Sequence, residues 1–113
     1  MINAFGAIKY FVKGKMPEGW CALKYAKSNI ILALSFPVSK VPYLAILTNE
    51  GSWDSLYNIF LEPCTASFDR LDVAKLRSKY SSIGPNSKFS WHLNLTISEN
   101  RHFKTVSEDG YLI

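Results

Sequence analysis

Apolar and polar residues alternate along residues 88–98, KFSWHLNLTIS. The apolar residues share one parity and the polar residues share the other: Phe89, Trp91, Leu93, Leu95 and Ile97 against Ser90, His92, Asn94 and Thr96. Because successive side chains of a strand point to opposite faces, this period of two predicts a half-buried β-strand. We expect its apolar face to lie against a core and its polar face to meet solvent.

Earlier segments show the same kind of pattern. It predicts strands over residues 6–13, 20–25, 30–36, 42–48 and 56–62, with a loop over residues 49–55. The run IILALSF over residues 30–36 is continuously apolar, which is typical of a strand buried on both faces. Pro37 ends that strand because proline cannot donate a hydrogen bond to the ladder.

One segment departs from the strand pattern. Residues 70–80 place apolar side chains near helical spacing after Asp69, which predicts a short helix with Asp69 as its N-cap or an ordered loop. Residues 103–113 suggest a last strand pair around the Asp109-Gly110 turn. Short strands and turns at this spacing predict an all-β fold, an antiparallel β-sandwich with at most one short helix.

Composition adds limits to this prediction. The chain has 113 residues, which fits a single domain, and its 48% hydrophobic and 19% charged content is typical of a globular protein. The net charge is +4, but the basic residues do not cluster, so we expect no nucleic-acid partner. Lys9, Lys13 and Lys15 share one parity, with spacings of four and two residues, as on the solvent side of a strand.

Cysteine usage and hydropathy narrow the class further. Cys21 and Cys64 lie in no Cys-x-x-Cys or Cys/His spacing, so two buried thiols in a reducing compartment are expected rather than a disulfide or a metal site. The longest apolar run is far too short to span a bilayer. We therefore expect no metal, no cofactor, no membrane contact and a cytoplasmic location.

Glu62 is the carboxylate with the most unusual setting. It ends the apolar run Ile59-Phe60-Leu61 and precedes Pro63. Partial desolvation at the end of a buried strand favours the protonated form of a carboxylate and makes it a candidate general base. The alternative is a structural glutamate paired to a lysine. A carboxylate pair with Asp69 also raises glycoside hydrolysis as a possibility, although the sequence does not give their separation.

Trp53 is the aromatic residue with the clearest alternative roles. It lies in a loop near Asn49, Glu50 and Asp54. An indole ring can pack on the C–H face of a sugar while polar groups bind its hydroxyls, so this loop is a candidate sugar site. Alternatively, the ring folds back on the core. His92 and His102 have no motif around them and are predicted to be surface residues.

The order of several segments resembles the C-terminal portion of the aldose 1-epimerase (galactose mutarotase-like) family. The segments are GWCAL at 19–23, LALSF at 32–36, VPYLAILTNEG at 41–51, YNIFLEPCT at 57–65, IGP at 83–85 and FSWHL at 89–93. The resemblance implies part of an antiparallel β-supersandwich that binds or epimerises free hexoses or related sugars without a cofactor. It places Glu62 at the position of the family's general base. Trp53, Asn49 and Tyr43 are then candidate sugar contacts.

The resemblance also implies what this chain lacks. Members of the family are much longer, and their catalytic histidines and sugar-binding arginine lie in the portion that has no counterpart here. Neither His92 nor His102 stands at a matching position. We therefore expect a truncated or split relative with weak or no activity alone. An alternative function is a non-catalytic β-sandwich that assembles through open sheet edges, either as a homodimer or with a partner chain that supplies the missing strands.

Overall fold

The computed structural model describes residues 6–113, whose six strands form two three-stranded antiparallel sheets. The first sheet has the order β1-β4-β5 and contains β1 (Gly6–Phe11), β4 (Tyr43–Glu50) and β5 (Tyr57–Cys64). The second has the order β2-β3-β6 and contains β2 (Trp20–Tyr25), β3 (Ile30–Ser35) and β6 (Asn94–Glu99). A single turn and a half of helix, α1 (Leu71–Leu76), follows β5. The all-β, sandwich-like class predicted from the sequence is confirmed.

Most strand bounds agree with the hydrophobic pattern. β2 has the predicted ends, and the ends of β1, β3, β4 and β5 differ from the predicted ones by at most two residues. The predicted helix is shorter, and Asp69 is not its N-cap: Arg70 occupies that position, without a side-chain capping hydrogen bond. Since α1 is only six residues long, it cannot cross a bilayer, and residues 6–113 contain no other helix that could.

β6 differs most from its prediction. The strand begins at Asn94, six residues later than expected, and its burial is inverted: Leu95 and Ile97 are 59% and 67% exposed. The polar side chains bind the C-terminal segment instead. Asn94 donates to the Glu108 carbonyl at 2.7 Å, and Thr96 donates to the Gly110 carbonyl at 2.6 Å. The expectation of a buried apolar face was therefore wrong, because backbone carbonyls cover the polar face.

The core of the second sheet lies on that polar side of β6. Residues 103–113 fold back through a single antiparallel bridge between Val106 and Leu112, which replaces the predicted strand pair. These two side chains pack on Ile31 and Ala33 of β3. Trp20 and Phe103 extend the cluster, with ring centroids 5.7 Å apart in an edge-to-face arrangement.

The chain is more extended than a closed domain of its length. Its radius of gyration is 16.1 Å, whereas about 13 Å is expected for a compact domain of this size. Large apolar side chains remain exposed on both sheets, among them Tyr10 and Ile59 of the first sheet and Ile97 of the second. Each sheet therefore has one covered side, while apolar groups on the other side meet solvent.

Candidate functional site

Glu62 lies near the end of β5 on a face that the strand register defines. Opposite it on the central strand is Ala45, which in turn pairs with Phe11 of β1. Because side chains alternate along a strand, Phe60, Glu62 and Cys64 share this face. The Glu62 side chain is 32% exposed, so its carboxylate is accessible to a ligand from solvent.

Lys9 of β1 binds this carboxylate across the central strand. Its Nζ lies 2.7 Å from Glu62 Oε2 and 2.6 Å from Asp69 Oδ1. Ala45 is fully buried between the two outer strands, and its methyl group leaves room for the lysine to reach Glu62. The prediction from its spacing that Lys9 faces solvent was therefore wrong. Lys9 is the ion-pair partner expected under the alternative interpretation, in which Glu62 is a structural glutamate paired to a lysine.

The pKa of Lys9 reflects two opposing effects. Burial is the largest single effect and lowers it, but the hydrogen bonds and the Coulombic attraction to Asp69 and Glu62 together raise it by more, so that the pKa lies above its ordinary value of 10.5. The ammonium also lies 5.3 Å from the centroid of the Phe11 ring, within cation–π range. Lys9 consequently stays charged at neutral pH and offsets one of the two carboxylates, which leaves the cluster with a formal charge of −1.

An aromatic pair lies on the same face. The rings of Trp53 and Phe60 meet edge to face with centroids 5.9 Å apart, and the two residues are 48% and 39% exposed. Phe60 precedes Glu62 by two residues, which is about 7 Å along a strand. Trp53, Phe60, Lys9, Glu62 and Asp69 together form what we call the Glu62 face.

The other two predicted sugar contacts are buried. Asn49 is 2% exposed, and its amide is engaged within the β4–β5 loop: it donates to the Leu56 carbonyl at 3.0 Å and accepts from the Ser52 backbone N–H at 3.0 Å. Tyr43 is 3% exposed and pairs with Cys64 at the opposite end of β4. The structure therefore brings Trp53 and Glu62 to one face of the first sheet, while Asn49 shapes the loop that carries Trp53.

Lys9 and Phe60 are members of the Glu62 face that the sequence pattern did not single out. Lys9 was assigned to solvent because it shares its parity with Lys13 and Lys15, which would place Ile8 and Tyr10 on the covered side. In the structure those two side chains are 43% and 53% exposed, and Lys9 shares its parity with Phe11 on the covered side. The sequence signal for its true position was that Lys9 shares its parity with the apolar residues Ala7 and Phe11 on either side of it.

The relation between Glu62 and Asp69 bears on glycoside hydrolysis. Both carboxylates bind the same Lys9 nitrogen, which lies between them. Hydrolysis requires two carboxyl groups that flank the scissile bond, with the sugar in the space between. Since the lysine ammonium fills that space, this geometry does not favour a glycosidase.

Metal and histidine chemistry have no counterpart at the Glu62 face. Within residues 6–113 no three His, Cys, Asp or Glu side chains are grouped as metal ligands. His92 is half exposed, and its Nε2 lies 3.8 Å from Glu108 Oε1 of the C-terminal segment. His92 is therefore placed with that segment and not with Glu62.

A separate cavity of about 390 Å³ lies where the two sheets meet. Tyr25 of β2 lines it together with residues at the end of β4 and the start of β5: Thr48, Asn49, Glu50, Tyr57, Asn58 and Ile59. Neither Glu62 nor Trp53 contributes to it. The cavity and the Glu62 face are thus two different candidate sites.

Comparisons of the chain with protein-family models, with curated proteins and with solved structures gave no match.

Both cysteines are free thiols, as the sequence indicates. Cys64 donates from Sγ to the Glu62 carbonyl at 2.8 Å, and burial raises its pKa. Burial also raises the pKa of Cys21, from an ordinary value of 9.0 to about 11. Neither thiol is therefore activated as a nucleophile, because reactivity follows the thiolate fraction.

This shift predicts slow alkylation of folded Cys21. In a Cys64→Ser variant at pH 8, we expect iodoacetamide to label folded Cys21 on the order of a hundredfold more slowly than the urea-unfolded chain. The difference should narrow as the pH approaches about 11, where the folded thiol ionises. Mass spectrometry over a pH series measures both rates, and equal rates at pH 8 would contradict the prediction.

Proposed function

We propose that this chain binds carbohydrate through the Glu62 face, as the C-terminal portion of an aldose 1-epimerase-like protein that acts on free hexoses or related sugars. The observation that carries the proposal is the position of an exposed Trp53–Phe60 pair beside the accessible Glu62 carboxylate on one face of β5. An apolar ring surface beside charged hydrogen-bonding groups suits the two sides of a pyranose.

The polar groups of the face complement sugar hydroxyls. Glu62 and Asp69 accept hydrogen bonds, and Lys9 donates them, so one cluster offers both kinds of partner. Hydrogen bonds to ionised groups are roughly twice as strong as those between neutral groups. Because the ion pairs between Lys9 and the two carboxylates hold these side chains in place, a sugar would meet groups that are already oriented.

In the proposed reaction Glu62 removes the proton from the anomeric hydroxyl, and the bond between C1 and the ring oxygen breaks. The ring oxygen must then receive a proton from an acid. Lys9 is poorly suited to that role, because its raised pKa makes it a weak proton donor at neutral pH. The acid would have to come from a portion of the protein that is not in this chain, so the chain alone is expected to bind sugar and to catalyse weakly or not at all.

Sugar binding is tested by the indole N–H resonance of Trp53 in an NMR titration with glucose and galactose. We expect this resonance and the Glu62 backbone amide resonance to shift in the wild-type chain. In Trp53→Ala we expect the sugar-dependent shift of the Glu62 amide to be lost. In Glu62→Gln we expect affinity to fall about tenfold, because a charged acceptor becomes a neutral amide. Tyr111→Ala, which removes an exposed ring far along the chain, is the control and should bind like the wild type.

Polarimetry on freshly dissolved glucose or galactose tests the catalytic part of the proposal. The wild-type chain should accelerate mutarotation weakly or not at all. Full activity that disappears in Glu62→Gln would show that no second portion is needed, while it would support Glu62 as the base. The absence of any sugar-dependent shift at Trp53 would contradict the proposal as a whole.

A second candidate function is assembly through the exposed apolar face of β6, with a second copy of this chain as the partner. Leu95 and Ile97 pair with Leu34 and Leu32 of β3. Near them, Leu93 and Ile30 are 46% and 37% exposed. Soluble monomers rarely expose apolar patches larger than a few hundred Å².

The exposed apolar surface favours a second copy of this chain as the partner. Tyr10 and Ile59 of the first sheet add further exposed apolar side chains. A standard interface takes about 800 Å² from each partner. β6 is also an edge strand, whose free backbone groups can pair with another strand. A two-fold dimer covers the same patch on both chains at once.

A further inference from the structure

The cavity at the junction of the sheets has a floor made of two cross-strand pairs. Thr48 of β4 lies opposite Ile59 of β5, and Glu50 lies opposite Tyr57. Side chains two residues apart on a strand share a face, so these four form a square on one side of the first sheet. The polar pair, Thr48 and Glu50, lies on β4 and the apolar pair on β5.

Two phenol rings line the cavity. Tyr57 is 72% exposed, and Tyr25, which reaches the cavity from the end of β2, is 48% exposed. The rings come from different sheets, and Tyr25 is the one lining residue that the second sheet contributes. Its volume of about 390 Å³ falls within the range of roughly 300–1,000 Å³ that small-molecule sites occupy.

The polar side chains that line the cavity differ in whether they already have hydrogen-bond partners. The Asn49 amide is occupied by its own loop through Leu56 and Ser52. By contrast, the side chains of Thr48 and Glu50 make no hydrogen bond or ion pair with any other residue in the described part of the chain. Asn58 alternates with Tyr57 and Ile59 along β5, so its side chain lies on the opposite face of the sheet. Two acceptor groups are thus available on the floor: a hydroxyl and a carboxylate.

The charge of the lining residues favours a ligand with a positive charge. Glu50 is its charged residue, and none of the seven lining residues is lysine or arginine. An anion would meet an uncompensated carboxylate, whereas a cation would neutralise it. The faces of tyrosine rings carry negative electrostatic potential and attract cations as well.

From this arrangement we infer that the cavity binds a primary alkylammonium group, such as a small amine or the end of a lysine side chain. A primary ammonium has three N–H donors, which the Glu50 carboxylate and the Thr48 hydroxyl can accept. Its alkyl stem packs on Ile59 and on the tyrosine rings. The inference is independent of sugar binding at the Glu62 face, because the two sites share no residue.

Binding is tested with n-butylammonium as the probe, followed by NMR chemical shifts of the cavity residues. n-Butanol and butyrate are the neutral and anionic controls of the same length. We expect the cation to shift the Glu50 and Tyr57 amide resonances with saturation, and both controls to bind at least about fivefold more weakly. Equal binding of butanol, or no saturable shift with butylammonium, would overturn the inference.

Matched variants locate the effect in the cavity. Glu50→Gln keeps the shape of the side chain and removes its charge, and Tyr57→Leu removes one ring. Each should weaken butylammonium binding at least about fivefold, while Glu62→Gln, at the other site, should leave it unchanged. If Tyr57→Leu fails to fold, Tyr25→Leu replaces it. Unchanged affinity in Glu50→Gln would overturn the inference even if the probe binds.

Discussion

Replacing Gly19 by alanine is expected to lower the free energy of unfolding by about 3 kcal/mol or more. A β-carbon at this position would lie 2.0 Å from the Phe36 carbonyl oxygen and 3.2 Å from the Val38 nitrogen. Both contacts are with backbone atoms, which cannot rotate away as a side chain can. The Phe36 N–H also donates to the Gly19 carbonyl at 2.8 Å, so any shift that relieves the clash disturbs this hydrogen bond.

Urea unfolding followed by tryptophan fluorescence measures this effect, since Trp20 adjoins the substitution. Gly84→Ala is the matched control: its β-carbon would meet the Ser87 hydroxyl at 3.4 Å, and a surface side chain can move. We expect the control to change the free energy of unfolding by less than about 0.5 kcal/mol. If the two variants unfold at the same urea concentration, then the close approach of residues 19 and 36 is not present in solution.

The second large effect is expected in the oligomeric state. If the exposed face of β6 joins two copies of the chain, the wild type should sediment as a dimer. The double variant Leu95→Thr, Ile97→Thr should sediment as a monomer, because it removes two branched apolar side chains from the proposed interface. Threonine retains a high strand propensity, so β6 itself should persist.

The control carries the same kind of change outside the interface. Ile83 and Ile113 are each 65% exposed and lie outside the strands, so Ile83→Thr, Ile113→Thr should leave the dimer intact. Analytical ultracentrifugation over a range of concentrations measures all three proteins. A wild-type monomer at the highest concentration would exclude self-assembly, and a dimeric double variant would exclude β6 as the interface.

The strands could be predicted from the sequence because their signals are local. Alternating side chains and continuous apolar runs mark β1 to β5, and residues such as Pro37 and Gly51 end them. A strand conformation depends mainly on neighbouring residues and turn chemistry. For the same reason Glu62 could be identified as a strand-end carboxylate before its surroundings were known.

The composition of the Glu62 face was not predictable in the same way. Lys9 and Asp69 are 60 positions apart in the chain, and they meet because β4 brings β1 and β5 into register. Similarly, Trp53 lies beside Phe60 because the Asn49 amide organises the intervening loop. These contacts depend on sheet order, which a pattern of alternating residues does not contain.

By itself, the sequence determined that the chain forms short antiparallel strands and where most of them begin and end. Only the tertiary structure decided which face of each strand is covered. A period of two defines two faces but does not choose between them. In β6 the polar face is the covered one, because the Glu108 and Gly110 carbonyls accept hydrogen bonds from Asn94 and Thr96. The apolar side chains of Leu95 and Ile97 are therefore exposed on the other face.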